Sequence, residues 1–391
     1  MKTEAAVVAD RLGASSTAVP AAAGVAKPCT GRVALVHDYL TQRGGAERVV
    51  MSMLRAFPEA DLHTSIYYPD GTFPEIDPDR VKEMSLSRVG AFRRHHRVAF
   101  PFLAPAFTMK HIEADVVLCS SSGWAHAARS DGRKIVYCHA PARWLYQSDR
   151  YLRGRRKVEH LGLGAFQTPL RHWDRWAARR ADRYLTNSSS IRDQIRNVYG
   201  IDAEVLHPPP TLDIHGDQEA PVGDLDPGFL LCVTRLLPYK NVDRIIDAVR
   251  GRSEQLVIVG AGTDAPWLVE SAPANVRPLG MVSDAQLRWL YARCGALISA
   301  SYEDFGITTL EAASFGRPTI ALRFGGFLDT ILEDETGVFF QRPEPRHISD
   351  ALDRFGRSFW DADKIVEHAR MFDEESFITR LQRVVAEEMR A

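Results

Sequence analysis

The stretch Ala300-Ser301-Tyr302-Glu303-Asp304-Phe305-Gly306-Ile307-Thr308-Thr309-Leu310-Glu311-Ala312-Ala313-Ser314-Phe315-Gly316-Arg317-Pro318 limits the fold more than any other part of the chain. An apolar run, Gly295-Ala296-Leu297-Ile298-Ser299, precedes it and reads as a buried strand. Gly316 and Pro318 close the helix that follows, and Thr319-Ile320-Ala321-Leu322 reads as the next strand. Strand, turn, helix and strand in that order is the unit of an open parallel sheet. The turns of such a sheet lie at the carboxyl edge, where ligands bind.

The unit recurs through the chain. Strand-like runs fall at residues 32–39, 61–68, 114–122, 134–141, 184–189 and 203–206 of the first half. In the second half they fall at 229–234, 255–259, 277–283, 295–299, 319–322 and 336–340. A chain of 391 residues with this alternation implies an α/β protein of two doubly wound parallel sheets. We expect a tail over 1–31, a first Rossmann-like domain over 32–207 and a linker over 208–227. A second such domain spans 228–372, and a C-terminal helix over 373–391 packs back toward the first domain. Between the halves of the first domain, an amphipathic helix is expected from about Thr168 to Arg183, with Leu170, Trp173, Trp176 and Ala177 facing the core.

Several function classes drop out on composition. The formal net charge of -1 argues against a general nucleic-acid binder. No apolar run is long enough to span a bilayer, and Glu4 and Asp10 interrupt any leader-like core. The five cysteines contain no CxxC, so neither a zinc site nor a disulfide framework is indicated, and reduced thiols in the cytoplasm are expected.

Candidate ligand residues gather on strand ends and strand-to-helix turns. Glu303 and Glu311 flank the backbone N–H groups of Phe305, Gly306, Ile307 and Thr308, which open a helix and favour an anion. A diphosphate on those N–H groups with a carboxylate at each side suits a nucleotide sugar, polyol at both ends. The bland alternative is two solvated helix-end charges. Gly44 and Gly45 form a second turn where backbone approaches an anion closely. His139 ends a strand and would face the cleft. Arg235 and Lys240 share one strand-to-helix loop and fit a pyrophosphate leaving group, unless they simply pair with Asp243 and Asp247. Met281 and Val282, before a capped helix start, offer backbone to a nucleobase. Gly260-Ala261-Gly262-Thr263-Asp264-Ala265 is a weak dinucleotide match, because no acid ends the next strand. Three D-x-D patterns, at 77–79, 224–226 and 361–363, lie outside strand ends, so turn and cap roles are expected and no metal is required.

Taken in order, these residues resemble the retaining glycosyltransferases of family GT4, of the GT-B fold. Glu303 and Glu311, with seven residues between them, look like its E-x7-E signature, and Gly44-Gly45-Ala46-Glu47 its first glycine loop. His139 resembles its cleft histidine, and Arg235 and Lys240 its phosphate-binding pair. The segments Tyr137-Cys138-His139-Ala140-Pro141 and Leu170-Arg171-His172-Trp173-Asp174 resemble a bacterial mannosyltransferase branch that builds polysaccharide repeats on a lipid carrier. The resemblance implies transfer of a hexose, mannose from GDP-mannose, to a lipid-linked or oligosaccharide acceptor with an α-linkage. It implies catalytic roles for His139, Arg235, Lys240 and Glu303. Gly44, Gly45, Met281, Val282, Phe305, Gly306, Ile307 and Glu311 would bind the donor. A polyprenyl-diphosphate-linked saccharide is the implied acceptor. The basic cluster from Arg93 to Arg97, followed by aromatic residues to Phe107, then reads as a peripheral contact with the inner face of the plasma membrane. A nucleotide-sugar epimerase, a sugar phosphorylase and a non-catalytic sugar-nucleotide-binding subunit share the architecture and stand as alternatives.

Overall fold

The computed structural model describes residues 31–94, 99–147 and 157–391. Its first sheet has seven parallel strands: β1 (Val33–His37), β2 (Asp61–Thr64), β3 (Val81–Glu83), β5 (Val116–Ser121), β7 (Arg133–Cys138), β8 (Arg183–Thr186) and β9 (Glu204–Val205), in spatial order β3-β2-β1-β5-β7-β8-β9. Strands β4 (His111–Ile112) and β6 (Arg129–Ser130) form a separate small ladder. The second sheet contains β10 (Leu230–Val233), β11 (Leu256–Val259), β12 (Val276–Gly280), β13 (Ala296–Ser299), β14 (Thr319–Leu322) and β15 (Gly337–Phe340) in the order β12-β11-β10-β13-β14-β15. In both sheets the order reverses beside the first strand, between β1 and β5 and between β10 and β13. A crevice opens at such a reversal, because the flanking connections leave to opposite faces.

The central strands are buried almost throughout and mostly apolar, with polar residues at their ends, as suits strands covered on both faces. All six residues of β5 are buried, as are all four of β11, β13 and β14. Helix α1 (Gly45–Ala56) covers one face of the first sheet, and helix α2 (Lys157–Ala178) the other. The C-terminal helix α3 (Glu374–Glu388) belongs to the first domain's core. Its Phe377, Leu381, Val384 and Val385 join Val49, Val50 and Met53 of α1 in one apolar cluster. Burying side chains of that size is worth about 1.5–3 kcal/mol each. Its rim is tied by Arg55 to Glu374 at 2.5 Å, Arg133 to Glu388 at 2.8 Å and Arg183 to Glu387 at 2.7 Å.

Two local expectations change. Helix α2 starts at Lys157 and ends at Ala178, and Arg183 opens strand β8. The helix runs through Gly162, Gly164 and Pro169, residues whose propensities point to a break. The tryptophan stripe also divides. Trp173 packs on Trp124 at 5.7 Å, whereas Trp176 is 47% exposed and lies under the Arg180 guanidinium. The expected tail, residues 95–98 of the basic cluster, and most of the second basic segment lie outside the described residues. Among the described residues, no helix is long and apolar enough to cross a membrane.

Candidate active site

The carboxyl edges of the two sheets face each other, and a row of contacts crosses between them. Arg143, four residues beyond His139, forms an ion pair with Asp304. Ser188 Oγ donates to the Asp304 carbonyl at 2.6 Å, and Ser189 N–H to Asp329 Oδ2 at 2.7 Å. The His207 ring stacks on Phe305, with centroids 5.6 Å apart. A methyl group placed on Gly45 would stand 3.7 Å from Ile307 Cδ1, so the first glycine turn looks directly at the helix Ile307–Ser314.

Lys240 is the buried cation of this cleft. Its loop follows β10 and ends on Asn241, held in the left-handed region at φ 53°. The Asn241 amide donates to the Ala300 carbonyl at 2.8 Å, which fastens the loop to the end of β13. The Lys240 ammonium thereby meets the Glu303 carboxylate in a hydrogen-bonded ion pair, with side-chain exposures of 6% and 24%. Burial alone would raise the pKa of Glu303. The charge and hydrogen bond of Lys240, then the charges of Arg143 and Arg235, outweigh it and hold the carboxyl below its usual range. Arg235 is exposed and donates to Tyr239 Oη at 3.1 Å. Asp243 and Asp247, the alternative partners of these cations, pair instead with Arg244 and Arg250.

Glu303 itself is held by backbone. Gly326 N–H donates to its carbonyl at 3.2 Å, so the turn after β14 braces the turn after β13. Gly306 then caps the helix Ile307–Ser314 at φ 86°, a conformation that favours glycine. The N–H groups of Ile307 and Thr308, in the first turn, lack intrahelical acceptors. The other glycine motif serves the same place. A side chain on Gly262 would meet the Leu236 carbonyl at 2.0 Å, so the 260–262 turn lies against the loop that carries Arg235.

Glu311 sits one helical stretch further in, 5% exposed, and accepts from Tyr291 Oη at 3.0 Å. Burial raises its pKa, opposed by the Arg48 charge and the Tyr291 hydrogen bond, with Asp284 adding to the rise. Arg48 follows Glu47 in α1, donates to Thr211 Oγ1 at 2.9 Å and lies over the Phe73 ring. Its charge and that of Asp284 place the Met281–Val282 segment's helix and α1 around one carboxylate. Met281 is 75% exposed, and Val282 is half-buried.

His139 is 8% exposed at the end of β7, with Asn187 donating to its carbonyl at 3.0 Å. Burial, then the positive charges of His37 and Arg143, lower its pKa to about 3, so the ring is neutral. The structure thus brings His139, Arg143, Arg235, Lys240 and Glu303 into one electrostatic neighbourhood, with Gly45 and Ile307 facing across it. Sequence reading missed Arg143, Asp304, Arg48 and Asn241. Each is a polar residue within four positions of a residue that was read, and only the cross-cleft partner distinguishes it from a surface charge. The D-x-D patterns have local roles where these are visible: Asp77 and Asp361 accept backbone N–H groups at helix starts.

Comparison with known proteins gives this cleft a lineage. The description "Glycosyltransferase Family 4" matches residues 43–211, and "Glycosyl transferases group 1" matches residues 217–371. A GDP-mannose-dependent alpha-mannosyltransferase of Mycobacterium tuberculosis is 27% identical, over 83% of this chain and 88% of that protein. The human Alpha-1,3/1,6-mannosyltransferase ALG2 is also 27% identical, over 88% of this chain and 92% of its own. Among solved structures, Anabaena HepE in complex with UDP and glucose aligns with a TM-score of 0.65 at 17% identity, covering 91% of this chain and 99% of that one. With both domains matched in chain order and two sheets of the GT-B arrangement closing on one cleft, the chain belongs to glycosyltransferase family 4.

Proposed function

We propose that this glycosyltransferase transfers mannose from GDP-mannose, with retention, to a hydroxyl of a lipid-linked or oligosaccharide acceptor in polysaccharide or glycolipid synthesis. The observation that carries the reading is the buried Lys240–Glu303 pair at the mouth of the helix Ile307–Ser314. On this reading the donor diphosphate lies on the Ile307 and Thr308 N–H groups. Lys240 and Arg235 neutralise it as the sugar C1–O bond breaks. Glu303 accepts from sugar hydroxyls, and Glu311 from the ribose. The acceptor hydroxyl gives its proton to the departing phosphate oxygen on the same face of the sugar, which yields retention. Catalysis is then positioning and charge stabilisation. The mannose donor is supported by the printed activities of the two relatives above, both mannosyltransferases. A polyprenyl-diphosphate-linked saccharide fits a surface with Phe102 51% and Met109 75% exposed on the helix Phe100–Met109, near Arg93. That surface would rest on the inner face of the plasma membrane.

A thermal-shift screen against GDP-, UDP- and ADP-sugars tests the donor, since ligand at 100 times its Kd stabilises by about 2.7 kcal/mol. GDP-mannose is expected to give the largest shift. An equal shift with UDP-sugars would remove the mannose assignment. Product analysis with and without acceptor separates transfer from epimerisation or phosphorolysis, and the anomeric coupling of the product reads retention. Turnover is expected to survive EDTA.

A further inference from the structure

His37, Ser120 and His139 come together at the carboxyl ends of three adjacent strands, β1, β5 and β7. His37 pairs with Ser120, and Ser121 pairs with Cys138, the residue before His139. Their side chains are joined. Ser120 Oγ lies 2.8 Å from His139 Nε2 and 3.0 Å from His37 Nδ1. His37 Nδ1 is also 3.2 Å from the Ser120 carbonyl, and its Nε2 is in ion-pair range of Glu47 Oε1, at 3.9 Å. Glu47, in the first turn of α1, is 1% exposed. Its Oε1 accepts from Gln42 at 3.1 Å, and its Oε2 has no hydrogen-bond partner among the described residues. None of Glu47, His37 or Ser120 reaches the cleft as a binding group in the mechanism above.

The partners decide where the protons are. A carbonyl only accepts, so His37 Nδ1 carries hydrogen, and the Glu47 carboxylate 3.9 Å from Nε2 favours a second proton there by its charge. With His37 Nδ1–H aimed at Ser120, the serine hydroxyl is left to donate to His139 Nε2. That nitrogen accepts, so neutral His139 holds its proton on Nδ1. Electrostatics agree with the geometry. Burial works against a charged His37, but the nearby Glu47 carboxylate, then Asp38 and the Ser120 carbonyl, more than offset it and raise its pKa from the ordinary value. On the far side, His139 faces Arg143 and the edge of the Tyr137 ring at 5.2 Å.

We propose that Glu47, His37 and Ser120 are positioning residues: a buried relay that fixes His139 as the Nδ1–H tautomer, so that its free N–H is a ready donor to the transferred sugar. The proposal rests on the reading that the sugar lies against His139. The relay acts through one proton position. Its loss therefore lowers turnover without weakening the nucleotide.

Long-range nitrogen–proton NMR on protein labelled at histidine nitrogen tests it without any substrate. His139, assigned by difference from His139→Gln, is expected as neutral Nδ1–H from pH 5.5 to 8, and His37 as doubly protonated at the low end. Ser120→Ala should mix the His139 tautomers, and Ser120→Thr, which keeps the hydroxyl, should restore them. In the kinetic arm, with GDP-mannose as donor, Ser120→Ala should lower kcat on the order of tenfold, with GDP affinity within twofold of the parent. Turnover should fall as pH rises through the His37 pKa, and Glu47→Gln should move that fall to lower pH. An Nε2–H tautomer at His139 in the parent protein, or one unmoved by Ser120→Ala, overturns the relay and leaves the donor reading standing. Unchanged turnover of His139→Gln overturns the site reading and the relay with it.

Discussion

Replacing Lys240 by methionine separates what the Lys240–Glu303 pair does for stability from what it does for turnover. Methionine keeps the length and apolar stem but removes the charge. Glu303 then loses the largest influence holding its carboxyl low, while the desolvation remains. Its folded-state pKa rises above the unfolded value. In the parent protein the folded pKa is depressed, so the pairing contributes stability above the ordinary carboxylate range that is lost as pH falls through the depressed value. In Lys240→Met the sign reverses. The folded state takes the proton more readily than the unfolded state, so the deficit is full at neutral pH and shrinks toward pH 4. Breaking a fully buried pair by removing one partner costs roughly 3–5 kcal/mol. Glu303 keeps 24% of its side chain exposed, so the expected loss is smaller, about 1–3 kcal/mol at pH 7.5. Turnover should fall about 100- to 1000-fold, the cost of removing one donor to developing charge. The double variant Lys240→Met/Glu303→Gln is the discriminating measurement, by chemical unfolding and by release of nucleoside diphosphate. A neutral amide no longer leaves a buried charge unpaired, so stability should recover most of the loss while turnover stays low. Recovery of both, or a single variant within threefold of parental kcat, would falsify the assignment of Lys240 to the leaving group.

Other consequences follow from the same geometry. Because burial raises the Glu311 pKa, affinity for GDP should weaken as pH falls through that raised value, and Tyr291→Phe, which removes a hydrogen bond favouring the carboxylate, should move the loss to higher pH; calorimetric titration from pH 5 to 8 reads both. Glu311→Gln should cost roughly ten- to a hundredfold in GDP affinity, as expected for a hydrogen bond to a charged group. Arg143→Ala removes the ion pair that spans the cleft, so the apparent KM for donor should rise several-fold with little change in unfolding midpoint, seen in initial rates alongside calorimetry. The thiols of Cys119, Cys232 and Cys294 are pushed up to about 12 by burial, and that of Cys138 is raised as well; all four should resist a disulfide-exchange reagent at pH 8 until the chain is unfolded.

What could be read from sequence was what is encoded locally. The strand-turn-helix of 295–318 carries its own signals, an apolar run, a glycine at the helix start and a glycine–proline stop, so β13, the Glu303 turn and the helix Ile307–Ser314 were all legible. Doubly wound order follows from such units, and so does the position of ligand residues at strand ends. The extent of α2 was not legible, because Gly162, Gly164 and Pro169 have propensities that speak against a helix. Nor was the choice between Trp173 and Trp176, which are three residues apart and look alike in any periodicity.

The residues least visible in sequence are those whose partners lie across the cleft or across the sheet. Arg143 gains its meaning from Asp304, and His37 from Ser120 and Glu47, at separations of 161 and 83 residues for the Asp304 and Ser120 contacts. No spacing rule joins such pairs; the approach of the two sheets joins the first, and strand register the His37–Ser120 contact. Once β1, β5 and β7 are aligned, His37 stands opposite Ser120 and Ser120 opposite Tyr137, two residues short of His139, whose ring reaches back to the serine. A parallel sheet therefore turns three unremarkable polar residues into one network, and a glutamate in the first turn of α1 decides its charge. The same alignment in the second sheet fastens Asn241 to the end of β13 and so brings Lys240 to Glu303. In both halves the chemistry is placed by the strand ends, and the segment that follows a strand, α1 in the first half and the Lys240 loop in the second, supplies the charge that sets it.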